Sequence, residues 1–228
     1  MSVDTQKRAA ARHAAALVED GMIVGLGSGT TSTLAVQALG DRVAAGLRFV
    51  GVPTSEEIRA LAGSCGITLA TLEEQPALDL AIDGADEVDP HLNLVKGHGG
   101  ALLREKIVAS SAARFVVIVD QSKRVERLGT RGPLPVEVST FGWTATGNRL
   151  KNLELSLELR GGSNPFLTDG GNYILDCTAG PDLDLADPGV AVSIKVQPGV
   201  MEHGLFLGMA STVLIGRDDE QVDVLERQ

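Results

Sequence analysis

Along the first 120 residues, short apolar segments alternate with segments of helical periodicity, and this alternation constrains the fold more than any other feature. The apolar segments predict strands, because they are aliphatic and bounded by glycine or polar residues: "MIVGL", "RFVGV", "ITLATL", "LDLAI" and "RFVVIVD". The segments between them predict helices, and in one of these Thr54 and Glu57 have the spacing of a capping box. Strands that alternate with helices build a parallel sheet, so we expect an α/β domain of three layers.

Beyond Gly129 the pattern changes to that of a smaller antiparallel unit. The segments "LELSLELR" and "NYILDC" predict strands, the first with one exposed face because leucine alternates with polar residues. Residues 186–199 have β-branched residues that suit a strand and a position before a turn that suits a helix, so both remain open. "STVLIG" predicts a buried strand, for which a return to the first sheet is one option. We expect residues 131–207 to form an α+β domain inserted into an α/β domain of residues 1–130 and 208–228.

Charge and composition exclude two classes of partner. The net charge is −10 and the Lys and Arg residues are scattered singly, so the chain lacks the basic stripe that nucleic-acid binding requires. No apolar run approaches the ~18 residues that cross a bilayer, and the N-terminus lacks the apolar region of a signal peptide, so we expect a cytoplasmic protein with no membrane partner. Cys65 and Cys177 match no zinc-site spacing, and we expect both to be reduced and buried.

A glycine-rich turn, "GLGSGTTS", follows the first predicted strand. Thr30 and Thr31 open the next helix, where free N–H groups and hydroxyls can bind an anion. A dinucleotide fingerprint does not fit, because Thr30 replaces its third glycine and no acidic residue ends the strand "RFVGV". A P-loop does not fit either, because no lysine follows the glycines. An anion site and a turn without a ligand both remain open.

The segment "DGADEVD" follows the strand "LDLAI", at the carboxyl end where open α/β sheets bind ligands. Asp83 and Asp86 are therefore candidates for chemistry. A solvated Asp-Gly turn is the alternative. A Mg²⁺ or Ca²⁺ site is another, although an EF-hand would place glycine at the sixth loop position rather than the second.

The segment "KGHGGALLREK" places a flexible loop directly before a helix, so Lys96 and the loop amides can converge on negative charge. Glu105 lies about one turn into that helix. Its neighbours one turn away are all apolar: Ala101, Leu102, Val108 and Ala109. A carboxylate on an inward face is suited to proton transfer near neutral pH, and a residue at the rim of the core is the alternative. Lys123 follows another strand and can reach the same edge of the sheet.

These motifs, with "DQSK", "PLPVEV", "TDGGNYILD" and "PGVMEHGLF" in the same order, closely resemble the ribose-5-phosphate isomerase A family over nearly the whole chain. The resemblance implies interconversion of D-ribose 5-phosphate and D-ribulose 5-phosphate through an enediolate in the non-oxidative pentose phosphate pathway. It implies a Rossmann-like three-layer domain with a smaller inserted α+β domain. It also implies no cofactor, no metal, and a homodimer or homotetramer.

When the roles of the family's residues are assigned to the matching positions of this sequence, the resemblance implies that Glu105 is the base that moves a proton from C2 to C1. Lys96 stabilises the enediolate, and Asp83 or Asp86 moves hydroxyl protons and opens the sugar ring. The remaining carried-over positions bind substrate: Ser28, Gly29, Thr30, Thr31, Gly84, Ala85, Gly97, His98, Gly99, Lys123 and Lys7. The family loop is often a lysine followed by three glycines, whereas here His98 interrupts it, and a lone loop histidine more often bonds locally.

A sugar-phosphate-sensing domain of a transcriptional regulator is the alternative from another class. Only about 20 residues precede the first predicted strand, which is too short for a helix-turn-helix, and the charge is unfavourable for DNA. A sensor also needs no base.

Overall fold

The computed structural model describes residues 3–227; Met1, Ser2 and Gln228, which the predicted first domain includes, lie outside this range. Its helices are α1 (Val3–Ala16), α2 (Thr30–Ala44), α3 (Glu56–Ser64), α4 (Leu102–Ser110), α5 (Trp143–Lys151) and α6 (Pro188–Lys195). Its strands are β1 (Ile23–Leu26), β2 (Val50–Pro53), β3 (Thr68–Leu69), β4 (Leu78–Asp83), β5 (Glu87–Val88), β6 (Leu94–Val95), β7 (Ala112–Asp120), β8 (Leu134–Val138), β9 (Leu155–Leu159), β10 (Tyr173–Ala179), β11 (Val200–His203), β12 (Leu205–Phe206), β13 (Thr212–Gly216) and β14 (Val222–Glu226). None of the helices within residues 3–227 is long and apolar enough to cross a membrane.

The chain divides into two compact units. Of the described residues, the first unit takes those up to Ala85, Arg104–Lys123 and those from Met209 onward. Its sheet has the order β14-β13-β7-β4-β1-β2-β3, and every neighbouring pair is parallel except β13 and β14. The predicted α/β class is therefore confirmed. The segment "STVLIG" does return to this sheet, because β13 pairs with β7.

The two faces of this sheet are covered by different helices. Val24 and Leu26 of β1 are buried in one core with residues of α1, α2 and α3. Gly25 between them faces the other side, where a Cβ would meet the side chain of Val108 in α4. The predicted three-layer arrangement follows directly from this alternation along the strand.

The predicted capping box at the start of α3 is wrong by one position. The cap is Ser55, whose side chain accepts a hydrogen bond from the N–H of Ile58 at 3.2 Å. Thr54 directly follows β2 and remains bonded to the neighbouring strand β1: it is fully buried, and its hydroxyl donates to the carbonyl of Leu26 at 3.0 Å. A threonine engaged with the sheet cannot also cap the helix.

The second unit contains Asp86–Leu103 and Arg124–Gly208 and has its own core. Its larger sheet is antiparallel, in the order β11-β8-β10-β9, and a smaller one has the order β12-β6-β5. Residues 186–199, for which the sequence allowed a strand or a helix, form α6 and a turn rather than a strand. Asp187 caps this helix by accepting from the N–H of Gly189 at 2.7 Å, and Pro188 occupies its first position.

The boundaries of the two units differ from the expected ones, since residues 86–103, 124–130 and 208 all belong to the second unit. One reason is Glu87, a fully buried carboxylate in β5. It accepts hydrogen bonds from the N–H groups of Gly129 at 2.5 Å and Arg131 at 2.6 Å. A second is that the N–H of Gly208 donates to the side chain of Asn93 at 3.0 Å. Hydrogen bonds between a side chain and a distant backbone N–H produce no periodic pattern in the sequence.

The two cysteines are in the reduced form, as predicted, but only Cys177 is fully buried. Burial, aided by the charge of Asp176, raises the pKa of the Cys177 thiol to about 12. Because the thiolate is the reactive form, this residue is a packing residue rather than a nucleophile. Cys65 is half-buried.

Candidate active site

The side chain of Asp83, the last residue of β4, accepts hydrogen bonds from the segment that follows the neighbouring strand β1. Its side chain is buried, and its Oδ1 accepts from the N–H of Ser28 at 3.0 Å, the hydroxyl of Ser32 at 3.0 Å and the N–H of Gly84 at 2.7 Å. An ionised carboxylate is an acceptor only, and three donors compensate its removal from water. Asp83 therefore fixes the glycine-rich turn relative to the end of β4.

Gly27 is required by the close approach of this carboxylate. A Cβ at position 27 would overlap the side chain of Asp83. The first part of the "GLGSGTTS" motif thus serves packing against Asp83, while its later residues, Gly29 and Thr30, are exposed.

The N-terminus of α2 is contacted by a lysine of α1, whereas an acidic residue is what usually stabilises the start of a helix. Gly29 is the cap residue, and the first turn of α2 contains no acidic residue. The ammonium group of Lys7 in α1 donates to the hydroxyl of Thr30 at 2.9 Å. A lysine at the positive end of a helix dipole is unfavourable by itself, and an anion bound between the two would compensate both charges.

A cluster of hydroxyl groups lies beside this turn. The hydroxyl of Ser28 is 2.7 Å from that of Thr54 and donates to that of Ser55 at 2.8 Å. Thr54 and Ser55 follow β2, so the carboxyl ends of β1 and β2 contribute to one polar group of side chains.

Glu105 lies in the first turn of α4, and its side chain is 6% exposed. It lines a small space, too tight to hold a water molecule, that Gly27, Thr54 and Asp83 also line. The apolar neighbours Leu102, Val108 and Ala109 are buried, as expected for the inward face of the helix. The first unit therefore brings Glu105 and Asp83, two of the predicted catalytic residues, to the same space.

The residue before Glu105 points away from this space. Arg104 donates to Oε1 of Glu56 at 2.8 Å, and this hydrogen bond is the largest of the effects that hold the pKa of the Glu56 carboxyl below its usual range. Glu56 is exposed, so the pair orients Arg104 more than it stabilises the fold.

Lys96, in the second unit, directly follows β6 and is almost fully buried. Its N–H donates to the carbonyl of Gly204 at 2.9 Å, and its ammonium nitrogen lies 5.5 Å from the centre of the Phe206 ring. The next residue, Gly97, has φ +110°, and a Cβ there would lie 2.9 Å from the Cβ of Leu102. Only glycine suits this turn.

Asp86 and His98 contact each other in the second unit. Oδ2 of Asp86 accepts from the N–H of His98 at 3.0 Å, and Nδ1 of the imidazole is 3.5 Å from Oδ1. Nε2 lies 3.0 Å from the carbonyl oxygen of Pro133 and must be the donor, since a carbonyl only accepts. The histidine that interrupts the glycine run therefore bonds locally through Nε2 and its backbone N–H, and its Nδ1 lies beside the Asp86 carboxyl.

The other predicted substrate-binding residues lie on these same segments. Ala85 follows Gly84 at the end of the first unit's β4 segment, Thr31 is buried in the first turn of α2, and Gly99 is exposed in the loop after Lys96. Lys123 ends the 3₁₀-helix Gln121–Lys123 that follows β7.

The family model described as ribose 5-phosphate isomerase A (phosphoriboisomerase A) matches residues 50–220. The chain belongs to the ribose 5-phosphate isomerase A family. It is 53% identical over 227 residues to the ribose-5-phosphate isomerase A of Gloeobacter violaceus, covering 99% of this chain and 97% of that one.

Two solved structures resemble this family member over the full chain. A D-ribose-5-phosphate isomerase in complex with phospho-erythronic acid has a TM-score of 0.94 and 40% identity, with 100% of both chains covered. The ribose 5-phosphate isomerase A of Methanocaldococcus jannaschii has a TM-score of 0.92 and 38% identity, with 99% of this chain and 100% of that chain covered. The predicted family and fold class are confirmed.

Some residues that lie against the candidate site residues were not predicted from the sequence. Ser32 lies inside the glycine-rich motif, and Thr54 follows a parallel strand at the expected edge, so both could have been found from position alone. Phe206, which lies beneath the Lys96 ammonium group, had no such signal, because the contact joins two segments far apart in the sequence.

We expect Gly27→Ala to destabilise this isomerase by about 1–3 kcal/mol, the usual cost of overpacking, because the new methyl group would displace the Asp83 carboxyl. Gly63→Ala is the matched control: position 63 lies in α3, where a Cβ meets no atom within 4 Å, and the change should be neutral or stabilising. Urea unfolding measures both. Equal midpoints for Gly27→Ala and the wild type would refute the close approach as a constraint.

Proposed function

We propose that this protein interconverts D-ribose 5-phosphate and D-ribulose 5-phosphate through an enediolate, with Glu105 as the base. The observation that carries the proposal is a buried carboxylate, Glu105, that shares one small space with Asp83 at the carboxyl ends of the parallel strands. Membership of the ribose 5-phosphate isomerase A family supports the substrate and the reaction.

The reaction moves one proton between adjacent carbons. A base removes the proton from C2 of the open-chain aldose, an enediolate forms, and the proton is delivered to C1 to give the ketose. Because C1 and C2 are directly bonded, one carboxylate can serve both transfers. Glu105 is well suited, since its burial limits exchange of the transferred proton with bulk water while the sugar is bound.

Lys96 stabilises the negative charge that develops on the enediolate oxygens. A buried ammonium group acts in a low dielectric, where its attraction for an oxyanion exceeds that of a solvated lysine. The amides of Gly97 and Gly99 add hydrogen bonds to the same charge, while the amide of His98 holds Asp86. Asp83 and Asp86 exchange protons with the substrate hydroxyls, and one of them assists opening of the furanose ring.

The phosphate group binds at the start of α2. Lys7 and the exposed residues Gly29 and Thr30 form an electropositive position on a chain whose net charge is −10. A phosphate there would satisfy the helix N-terminus and the ammonium group together. Ser28, Thr31 and Lys123 complete the proposed anion site.

No redox cofactor or metal is part of this proposal. Isomerisation leaves the overall oxidation state of the sugar unchanged, so no external electron acceptor is needed, and Lys96 supplies the positive charge that a metal would otherwise provide. Groups of three or more His, Cys, Asp or Glu side chains that could hold a metal ion do not occur within residues 3–227.

We also propose that the protein is cytoplasmic and assembles as a homodimer or homotetramer, as the family resemblance implies. The second unit exposes large apolar side chains that self-association would remove from water, among them Phe141, Val192 and Val196.

Glu105→Gln should lower kcat for ribose 5-phosphate by about 10²–10⁴-fold and change KM little, because the amide keeps the shape of the side chain but cannot accept a proton. Glu57→Gln, an exposed change of the same type in α3, should keep the wild-type kcat. Steady-state kinetics of the purified proteins tests this. A folded Glu105→Gln protein with near-wild-type kcat would remove Glu105 as the base and leave Asp83 or Asp86 as candidates.

Lys7→Met should raise KM for ribose 5-phosphate by about 10- to 100-fold, the effect of losing a hydrogen bond to a charged group, with kcat nearly unchanged. Lys151→Met, at an exposed position of α5, is the matched control and should leave both constants unchanged. Free ribose should be a very poor substrate of every variant. An unchanged KM in Lys7→Met would mean that the phosphate binds elsewhere.

A further inference from the structure

An arginine–aspartate pair in the second unit contacts the loop that follows Lys96. Arg160 directly follows β9, and Asp176 lies in the neighbouring strand β10. The guanidinium donates from Nε to Oδ2 of Asp176 at 2.9 Å and from Nη2 to Oδ1 at 2.5 Å. The two side chains are only 17% and 22% exposed. This bidentate geometry fixes the plane of the guanidinium.

The third guanidinium nitrogen of Arg160 donates to two consecutive backbone carbonyls of the loop. Nη1 lies 3.0 Å from the carbonyl oxygen of Gly97 and 3.1 Å from that of His98. Phe166 covers the same contact: its ring centre is 5.9 Å from Cζ of Arg160, and a Cβ on Gly100 would lie 2.5 Å from the ring. The loop from Gly97 to Gly100 is therefore held along its whole length by this cluster.

These contacts determine where the loop amides point. A trans peptide is planar, and its N–H is directed opposite to its carbonyl. Because the carbonyls of Gly97 and His98 are directed at the guanidinium, the N–H groups of His98 and Gly99, in the same two peptides, are directed away from it. The N–H of His98 donates to Oδ2 of Asp86 at 3.0 Å, so of these two amides that of Gly99 is the candidate donor to an enediolate. A cation bonded to a carbonyl also polarises the peptide and strengthens its N–H as a donor.

We propose that Arg160, held by Asp176, is a positioning residue for the isomerase reaction, which orients and polarises the Gly99 amide as a donor to the enediolate and the His98 amide that holds Asp86. This inference rests on the proposed function of the loop. Arg160 donates to the carbonyls of Gly97 and His98, so it acts through these two peptides. Charge on the enediolate develops during the reaction, so loss of Arg160 should affect kcat more than binding of the sugar phosphate.

The variant Arg160→Met tests the inference in the full-length protein. We expect kcat for ribose 5-phosphate to fall about 10- to 100-fold, since a displaced oxyanion donor has an effect of this size, with KM within about threefold of the wild type. Arg127→Met is the matched control. Arg127 also donates to two loop carbonyls of the second unit, those of Pro181 at 3.0 Å and Leu183 at 2.9 Å, but that loop carries no proposed site residue, so kcat should not change.

Inhibition gives a second readout that a purely structural role would not alter. The carboxylate of phospho-erythronic acid resembles the planar, negatively charged enediolate, so its inhibition constant should rise in Arg160→Met in parallel with the loss of kcat. Inhibition by inorganic phosphate should not change. If Arg160→Met does not fold, Arg160→Lys is used instead. The kcat of this variant should fall at least about fivefold, because the single ammonium group of lysine cannot bond both Asp176 oxygens and both loop carbonyls.

Two results would overturn the inference: wild-type kcat and phospho-erythronic acid inhibition in a folded Arg160 variant, or an equal loss of kcat in Arg127→Met. An inactive wild-type protein would instead refute the proposed isomerase function.

Discussion

The buried carboxylate of Asp83 is the group on which the first unit's site depends. It accepts three hydrogen bonds at a single oxygen, one from Ser28 in the turn that joins β1 to α2 and one from Ser32 in the first turn of α2. These bonds determine the position of the α2 N-terminus, where Lys7 contacts Thr30. The Asp83 side chain also lines the small space that Glu105 lines. Removing the carboxylate would take this acceptor from the buried Ser32 hydroxyl and from the Ser28 amide, at a cost of about 1–3 kcal/mol for a donor that stays buried.

In the second unit too, charged side chains that are largely removed from solvent hold loops through hydrogen bonds to backbone groups. Glu87 accepts from the amides of Gly129 and Arg131, and Arg160 donates to the carbonyls of the loop after Lys96. These bonds join groups of the protein itself. Donors that are already oriented need no reorganisation when charge develops, and this preorganisation is the main source of electrostatic stabilisation in catalysis.

The sequence was sufficient wherever the signal was local. Alternation of strands and helices predicted the parallel sheet, and helical spacing predicted the inward face that carries Glu105. It was insufficient where distant segments meet. The choice between Thr54 and Ser55 as the cap depended on a bond to Leu26 in another strand, and the contact of Arg160 with Gly97 joins residues 63 positions apart. The segment 186–199 had mixed signals, and its helix is explained by Asp187 and the proline that follows it.

The central claim is that Glu105 removes the proton from C2, and hydrogen exchange tests it most directly. Ribose 5-phosphate incubated in D₂O with the wild-type protein should acquire deuterium at C2 as the isomerisation equilibrates, because the base exchanges its proton with solvent between turnovers. NMR or mass spectrometry of the recovered sugar measures the incorporation. With folded Glu105→Gln the account predicts that incorporation at C2 falls as far as turnover does. Deuterium incorporation at the wild-type rate in that variant would contradict it.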